Sequence, residues 1–176
     1  MDVIELLRNR RSIRQYLDRA IEPETVQLLT EAILRAPSSR NIDPWEFVFV
    51  DDRDLLARLA VCKPHGASFL EHAPLGIVVC GDGDASDVWV EDCSIASILV
   101  QMAAQSLGLG SCWVQVRNRQ YNDRIASEQY VQDVLGIPMP IRVESIIAVG
   151  YPAEEKPPRT RESLKSSKVH SNTFGN

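Results

Sequence analysis

A group of basic side chains near the start of the chain has the residue types and spacing to bind an anion. Forked guanidinium donors and a hydroxyl fall within one short run, Arg10, Arg11, Ser12 and Arg14. Guanidinium groups bind phosphate oxygens and planar carbonyl edges through paired hydrogen bonds. The run therefore indicates an anion site, although the same pattern also occurs at solvated helix ends that carry only surface ion pairs.

Net positive charge is concentrated in two stretches of the chain. Residues 8–19 and residues 156–168 each carry a net charge of +4, whereas the remaining residues sum to −13 and the whole chain to −5. Segregation of this kind favours one localised anionic ligand over general affinity for nucleic acid, and aromatic residues do not alternate with the basic ones. We therefore predict no nucleic-acid partner.

Length and composition indicate a single globular domain. The chain has 176 residues, of which 44% are hydrophobic, and this is enough for one buried core. Its acidic beginning does not resemble a secretory signal, and no apolar run approaches the roughly 20 residues of a membrane span. We predict a cytoplasmic protein without a membrane partner, in which the dispersed cysteines are buried and form no disulfide.

The elements that must position the basic residues follow from hydrophobic periodicity. Asp2 is a suitable N-cap for a first helix that ends near the arginine run. Further helices are predicted over 23–36, 53–62, 91–107 and 122–135, and strands over 45–50, 75–80, 111–116 and 143–149. Pro37 and Pro44 bracket a loop. The alternation of strands and helices is compatible with an α/β arrangement and equally with a layered α+β sandwich.

Four motifs occur in a fixed order along the chain. The arginine run is followed by the loop of residues 36–47, by Leu107-Gly108-Leu109-Gly110-Ser111-Cys112-Trp113, and by Gly150-Tyr151-Pro152 with Lys156-Pro157-Pro158-Arg159. From about residue 3 to residue 161, the chain resembles the nitroreductase family of FMN-dependent oxidoreductases. The resemblance implies an α+β sandwich, with a central, mostly antiparallel sheet flanked by helices, in an intertwined homodimer that holds one FMN in each of two interface clefts. Residues 1–161 would form the single FMN-binding domain, and residues 162–176 a tail that is either loose or docked on the partner subunit.

The resemblance also implies roles for particular residues. Arg10, Arg11 and Ser12 would hold the phosphate and ribityl end of FMN, and Arg14 would approach the pyrimidine edge of the ring. A loop that reaches the partner subunit's flavin would contain Pro37, Ser38, Ser39 and Asn41. The strand beside the redox face would begin with Gly110, Ser111, Cys112 and Trp113. A basic residue returning to the phosphate would be Arg159, with Arg161 and Lys156 as weaker matches.

The activity that the resemblance implies is electron transfer by a ping-pong mechanism. NAD(P)H would reduce the flavin, and a nitroaromatic, a quinone or a similar acceptor would then take the electrons. Because the flavin carries the chemistry, no protein nucleophile or general base is required, and a permanent charge on Arg14 would favour the reduced, anionic flavin. The alternatives are a flavin-binding regulatory module without turnover and a related flavin enzyme that dehalogenates its substrate or fragments the flavin.

Three other features of the sequence have chemical character. Asp43 stands where the family often has Gln, and a carboxylate there would repel an anionic flavin edge. Cys62 and His65, with His72 nearby, have some character of a zinc site but lack a second pair of ligands. The acidic group Asp82, Asp84 and Asp87 lacks the terminal Glu of a calcium loop and is more typical of a solvated turn. We predict no metal.

Overall fold

Four antiparallel strands with helices on both faces make up the computed structural model, which describes residues 2–175. The helices are α1 (Val3–Asn9), α2 (Pro23–Leu34), α3 (Arg53–Ala60), α4 (Trp89–Ser106) and α5 (Ser127–Leu135), and the strands are β1 (Trp45–Val50), β2 (Leu75–Asp82), β3 (Gly110–Gln115) and β4 (Ile141–Gly150). The strand order is β1-β2-β4-β3, and every neighbouring pair is antiparallel. The architecture is therefore α+β, because a doubly wound α/β sheet would be mainly parallel.

Strand β1 shows how the sequence pattern produces the layers. Trp45, Phe47 and Phe49 join the apolar layer formed with α2 and α4, whereas Val48 and Val50 join the layer formed with α3 and α5. Successive side chains of a strand point to opposite faces, so alternating apolar residues require cover on both sides. Val50 is buried and the other four side chains are half-buried, so both faces of β1 are at least partly covered, as the pattern predicted.

The ends of the predicted helices were correct to within a few residues, with one larger error. Asp2 caps α1 by accepting a hydrogen bond from the Glu5 amide at 2.8 Å. Helix α5 begins at Ser127 and not at Asn122, because the Asn122 side chain accepts hydrogen bonds from the amides of Arg124 and Ile125, both at 2.9 Å. This Asx-type turn satisfies amides that a helix would otherwise use. The prediction of a helix from residue 122 was therefore wrong.

The segment after α1 runs between β3 and the segment that follows β4. The amide of Ile13 donates to the Ser111 carbonyl at 3.0 Å, which places the arginine run beside β3. On the other side, Leu17 donates to the Tyr151 carbonyl and Ala153 donates to the Gln15 carbonyl, each at 2.9 Å. Because of these hydrogen bonds, the chain after β4 runs alongside the segment after α1, and the second basic stretch begins close to the first.

The residues after this segment form an exposed tail. Two short 3₁₀ turns cover Arg161–Ser163 and Ser166–Lys168. Three large apolar side chains of the tail, Leu164, Val169 and Phe174, are 56%, 79% and 92% exposed in the single chain.

Among the helices within residues 2–175, none has both the length and the hydropathy to cross a membrane. The same residues contain no group of three or more His, Cys, Asp or Glu side chains that could hold a metal ion. The Asp82 carboxylate closes a turn, because it accepts hydrogen bonds from the backbone amides of Asp84 and Ala85. The four cysteines, Cys62, Cys80, Cys93 and Cys112, are buried and unpaired with one another.

Candidate functional site

A cavity of about 710 Å³ lies where the two basic stretches meet. Ten described residues line it: Ile4, Leu7, Arg8, Arg10, Arg11, Ser12, Arg14, Lys156, Arg159 and Leu164. Six of them are Arg or Lys, and none of these ten is acidic. A cavity with this many cations suits an anion with more than one charge, such as a phosphate monoester.

The backbone after α1 determines how the arginines face the cavity. Helix α1 ends at Asn9, and the Arg10 amide still closes its last turn by donating to the Leu6 carbonyl at 2.9 Å. From there the chain is extended, and Ser12 forms a parallel bridge with Ser111 of β3. The run therefore has a fixed path along the sheet.

Two cationic side chains of the site are themselves held by backbone carbonyls. The Arg11 guanidinium donates to the Pro157 carbonyl, and the Lys156 ammonium donates to the Ser12 carbonyl at 2.7 Å. Arg11 also lines a neighbouring cavity of about 580 Å³. These contacts join the two basic stretches to each other.

Arg14 has different surroundings from the other arginines of the run. Its guanidinium carbon lies 5.7 Å from the centre of the Phe69 ring, a cation–π arrangement. Phe69 belongs to a 3₁₀ turn over Ser68–His72, an element that the sequence did not predict. Arg14 therefore lies at the side of the cavity that faces this turn.

The strand residues predicted for the site divide between the two faces of β3. Cys112 packs with the α3 and α5 layer, and Trp113 packs with the α2 and α4 layer. The Trp113 indole donates to the Gln115 side chain at 2.9 Å. Burial raises the pKa of the Cys112 thiol, and the Arg14 charge offsets this only in part. Cys112 therefore has the character of a buried neutral thiol, not of a nucleophile.

Gly110 allows the arginine run to approach β3 closely. A Cβ atom at this position would lie 2.8 Å from the Ile13 Cβ and Cγ2 atoms. We expect Gly110→Ala to displace residues 12–14 and to reduce the free energy of unfolding by about 1–3 kcal/mol, the usual cost of overpacking. Thermal unfolding measures the loss. Gly83→Ala is the matched control, because the nearest atom to its Cβ is the Arg142 Cγ at 3.3 Å, which is farther than the 2.8 Å contacts at Gly110. Equal stability of the two variants would contradict this packing argument.

The predicted loop residues lie in a fixed but unusual conformation. Three non-glycine residues, Arg40, Asn41 and Asp43, have φ angles of 55°, 55° and 52°. Left-handed backbone at such residues costs free energy and persists only where surrounding contacts impose it. Here the amide of Ser39 donates at 2.9 Å to the buried carboxylate of Asp92 in the first turn of α4.

The carboxylate of Asp43 is used within the same loop. It accepts a hydrogen bond from the Ser38 hydroxyl at 2.5 Å, and the Asp43 amide donates to that hydroxyl oxygen at 2.9 Å. Pro37 and Asn41 are exposed. None of the loop residues predicted for the site lines the cavity of about 710 Å³ in this chain.

The cavity lining differs from the predicted site at several positions. Arg8, Ile4, Leu7 and Leu164 line it without having been predicted. Residues 4, 7 and 8 share one side of α1 by helical spacing, so the periodicity contained a signal for three of the four. Arg161 is exposed and does not line the cavity, whereas Lys156 and Arg159 do.

The chain combines an α+β sandwich with a cavity that six cationic side chains line. The sequence matches the model of the nitroreductase family over residues 7–61 and 61–151. The chain belongs to the nitroreductase family.

Individual relatives agree with this assignment. A solved structure of an FMN-dependent nitroreductase from Clostridium difficile R20291 superposes with a TM-score of 0.96 at 45% identity and covers 98% of this chain and 100% of its own. A Methanothermobacter thermautotrophicus protein named "Putative NADH dehydrogenase/NAD(P)H nitroreductase" is 36% identical over 97% of this chain and 86% of its own. The FMN reductase [NAD(P)H] of Bacillus subtilis is 25% identical over 97% of this chain and 75% of its own.

Proposed function

We propose that this chain is an NAD(P)H-dependent oxidoreductase that binds FMN with its phosphate in the cavity of about 710 Å³. The observation that carries the proposal is the set of six cationic side chains that line this cavity. They come from both ends of the chain, and none of the described lining residues is Asp or Glu. The names of the relatives from C. difficile and B. subtilis, which specify FMN, support it. When bound, FMN supplies hydride transfer between NAD(P)H and an electron acceptor.

The residues of the chain divide into two groups in this proposal. Arg10, Arg159 and the Ser12 hydroxyl hold the phosphate, because guanidinium groups bind a phosphate dianion through charge-assisted hydrogen bonds. Arg8 adds positive charge at the end of α1. Arg14, which extends toward Phe69, supplies a permanent positive charge for the flavin end of the ligand.

We expect Arg14→Ala to impair reduction of the flavin more than its binding. Loss of one nearby positive charge costs about 1–1.5 kcal/mol in a partly solvated site, which corresponds to a fall of about 30 mV in a two-electron potential. The potential can be measured by equilibration with a reference dye. Arg14→Lys, which keeps the charge, should retain most of the wild-type potential. A potential that is unchanged in Arg14→Ala would contradict this role.

We further propose that the active form is an intertwined homodimer with two FMN sites at the interface. In the single chain, Ile4 and Leu7 of α1, Leu28 of α2 and Ile98 of α4 are exposed, and such apolar surface is typical of an interface. In the dimer, the loop containing Pro37, Ser38, Ser39 and Asn41 reaches the flavin of the partner subunit. Residues 1–161 form the FMN-binding domain, and the tail of residues 162–176 docks on the partner subunit, which covers its exposed apolar side chains.

The proposed acceptors are nitroaromatics, quinones or similar compounds, reduced in a ping-pong sequence in which the donor leaves before the acceptor binds. An anaerobic titration of the purified yellow protein with NADH and NADPH tests the proposal. The flavin absorbance should bleach with at least one of them and return when an acceptor is added. A protein that contains FMN but is bleached by neither nucleotide would be a binding module without turnover, and a colourless protein that takes up no FMN would overturn the proposal.

A further inference from the structure

One carboxylate, that of Glu154, contacts two residues that line the cavity of about 710 Å³, Arg14 and Lys156, without lining that cavity itself. Glu154 lines the neighbouring cavity of about 580 Å³. Its Oε1 atom accepts a hydrogen bond from the Arg14 amide at 2.6 Å and another from the Lys156 ammonium at 2.9 Å. The side chains of Glu154 and Lys156 are only 17% and 26% exposed. The contact therefore joins the arginine run to the returning segment at a half-buried position.

The contacts of Lys156 leave one of its donors for a ligand. A lysine ammonium has three N–H groups. Of those on Lys156, one donates to Glu154 and another to the Ser12 carbonyl at 2.7 Å. The third is available to the cavity, which Lys156 lines. A long side chain that is held at two points has little rotamer freedom left to lose. Binding of a ligand to it therefore costs less conformational entropy.

The negative charge of Glu154 should weaken phosphate binding, whereas its positioning of Lys156 should strengthen it. A carboxylate near an anion site repels the anion, so removal of its charge should strengthen phosphate binding if electrostatics alone decided the outcome. If instead the carboxylate is needed to hold Lys156, its removal should weaken phosphate binding. The sign of the change in affinity therefore distinguishes the two roles.

We propose that Glu154 is a positioning residue for the phosphate end of the cofactor, acting through Lys156 and the backbone of Arg14. This inference rests on the proposed function, because it takes FMN as the ligand of the cavity. Within the site, Glu154 does not touch the ligand. It keeps the Lys156 ammonium directed at the phosphate and the arginine run against the returning segment.

The test compares Glu154→Gln with Glu155→Gln in the full chain after removal of bound flavin. Glu155 is the adjacent residue and is exposed, so its substitution makes the same change in charge. Affinities for FMN and for riboflavin, which lacks the phosphate, are measured by quenching of flavin fluorescence. We expect Glu154→Gln to bind FMN about tenfold more weakly, to bind riboflavin as the wild type does, and Glu155→Gln to match the wild type for both.

Several results would overturn the assignment. Unchanged or tighter FMN binding by Glu154→Gln would show that its charge outweighs any positioning. Equal losses for FMN and riboflavin would show a merely structural role. Should Glu154→Gln not fold, Glu154→Asp, which keeps the charge but withdraws the carboxylate by one methylene group, must show the same loss confined to FMN, or the assignment fails. A wild-type chain that binds no FMN would instead remove the proposed function and, with it, this role for Glu154.

Discussion

Replacing Arg10 and Arg159 together with alanine is expected to leave the protein without FMN. Each basic stretch of the chain contributes one of these residues to the cavity. A hydrogen bond to a charged group contributes about 1.5–3 kcal/mol, so the loss of both guanidinium groups should weaken FMN binding by at least about 100-fold. Two of the remaining cations, Arg11 and Lys156, already donate to backbone carbonyls and cannot fully replace them.

The flavin content of the purified variant, measured by absorbance, tests this expectation. A matched control removes two arginines outside the cavity, Arg35 and Arg124, both of which are exposed. The control keeps the overall change in charge and should remain yellow. If the Arg10→Ala, Arg159→Ala variant retains full flavin content, or if Arg14→Ala loses as much FMN as this variant does, the division of roles among the arginines is wrong.

A single charge on α4 is expected to separate the proposed dimer and to release its cofactor. Ile95 and Ile98 are 40% and 39% exposed and lie three residues apart on one side of the helix. An unpaired carboxylate buried in an apolar interface costs several kcal/mol. We therefore expect Ile98→Asp to be monomeric, and to lose FMN because the partner's loop is no longer present.

Light scattering of the eluted protein distinguishes a chain of 19.7 kDa from its dimer. Met139→Asp provides the control, since Met139 is 72% exposed but lies in the connection between α5 and β4, outside the proposed interface. It should remain dimeric and yellow. The proposed interface site would be contradicted if the Ile98→Asp variant stayed dimeric. It would also be contradicted if the variant became monomeric but kept its flavin.

The Glu154 inference changes how the cationic site is understood. Basic residues that line one cavity repel one another, and a site built only from them would be loosely ordered. Here Glu154, the Ser12 carbonyl and the Pro157 carbonyl each accept a hydrogen bond from a cationic side chain of the site. These three acceptors partly offset the positive charge of the site, which reconciles phosphate binding with a stable fold.

Local sequence patterns predicted much of the fold because they report contacts between near neighbours. The alternation in β1 predicted two covered faces, and Asp2 predicted the start of α1, because both depend on residues within a few positions. The start of α5 was predicted incorrectly because the Asn122 side chain competes for the amides of a helical turn, a contest that periodicity does not reveal.

By itself, the sequence determined which residue types the site could use and how the positive charge is distributed along the chain. Only the tertiary structure decided which of these residues meet. Arg11 and Pro157 are separated by 146 positions, and Lys156 and Ser12 by 144. Such contacts depend on the antiparallel strand order β1-β2-β4-β3 and on the path of the chain along its edge. Periodicity carries no information about that path, because it records only which face of an element is buried and not which element packs against it.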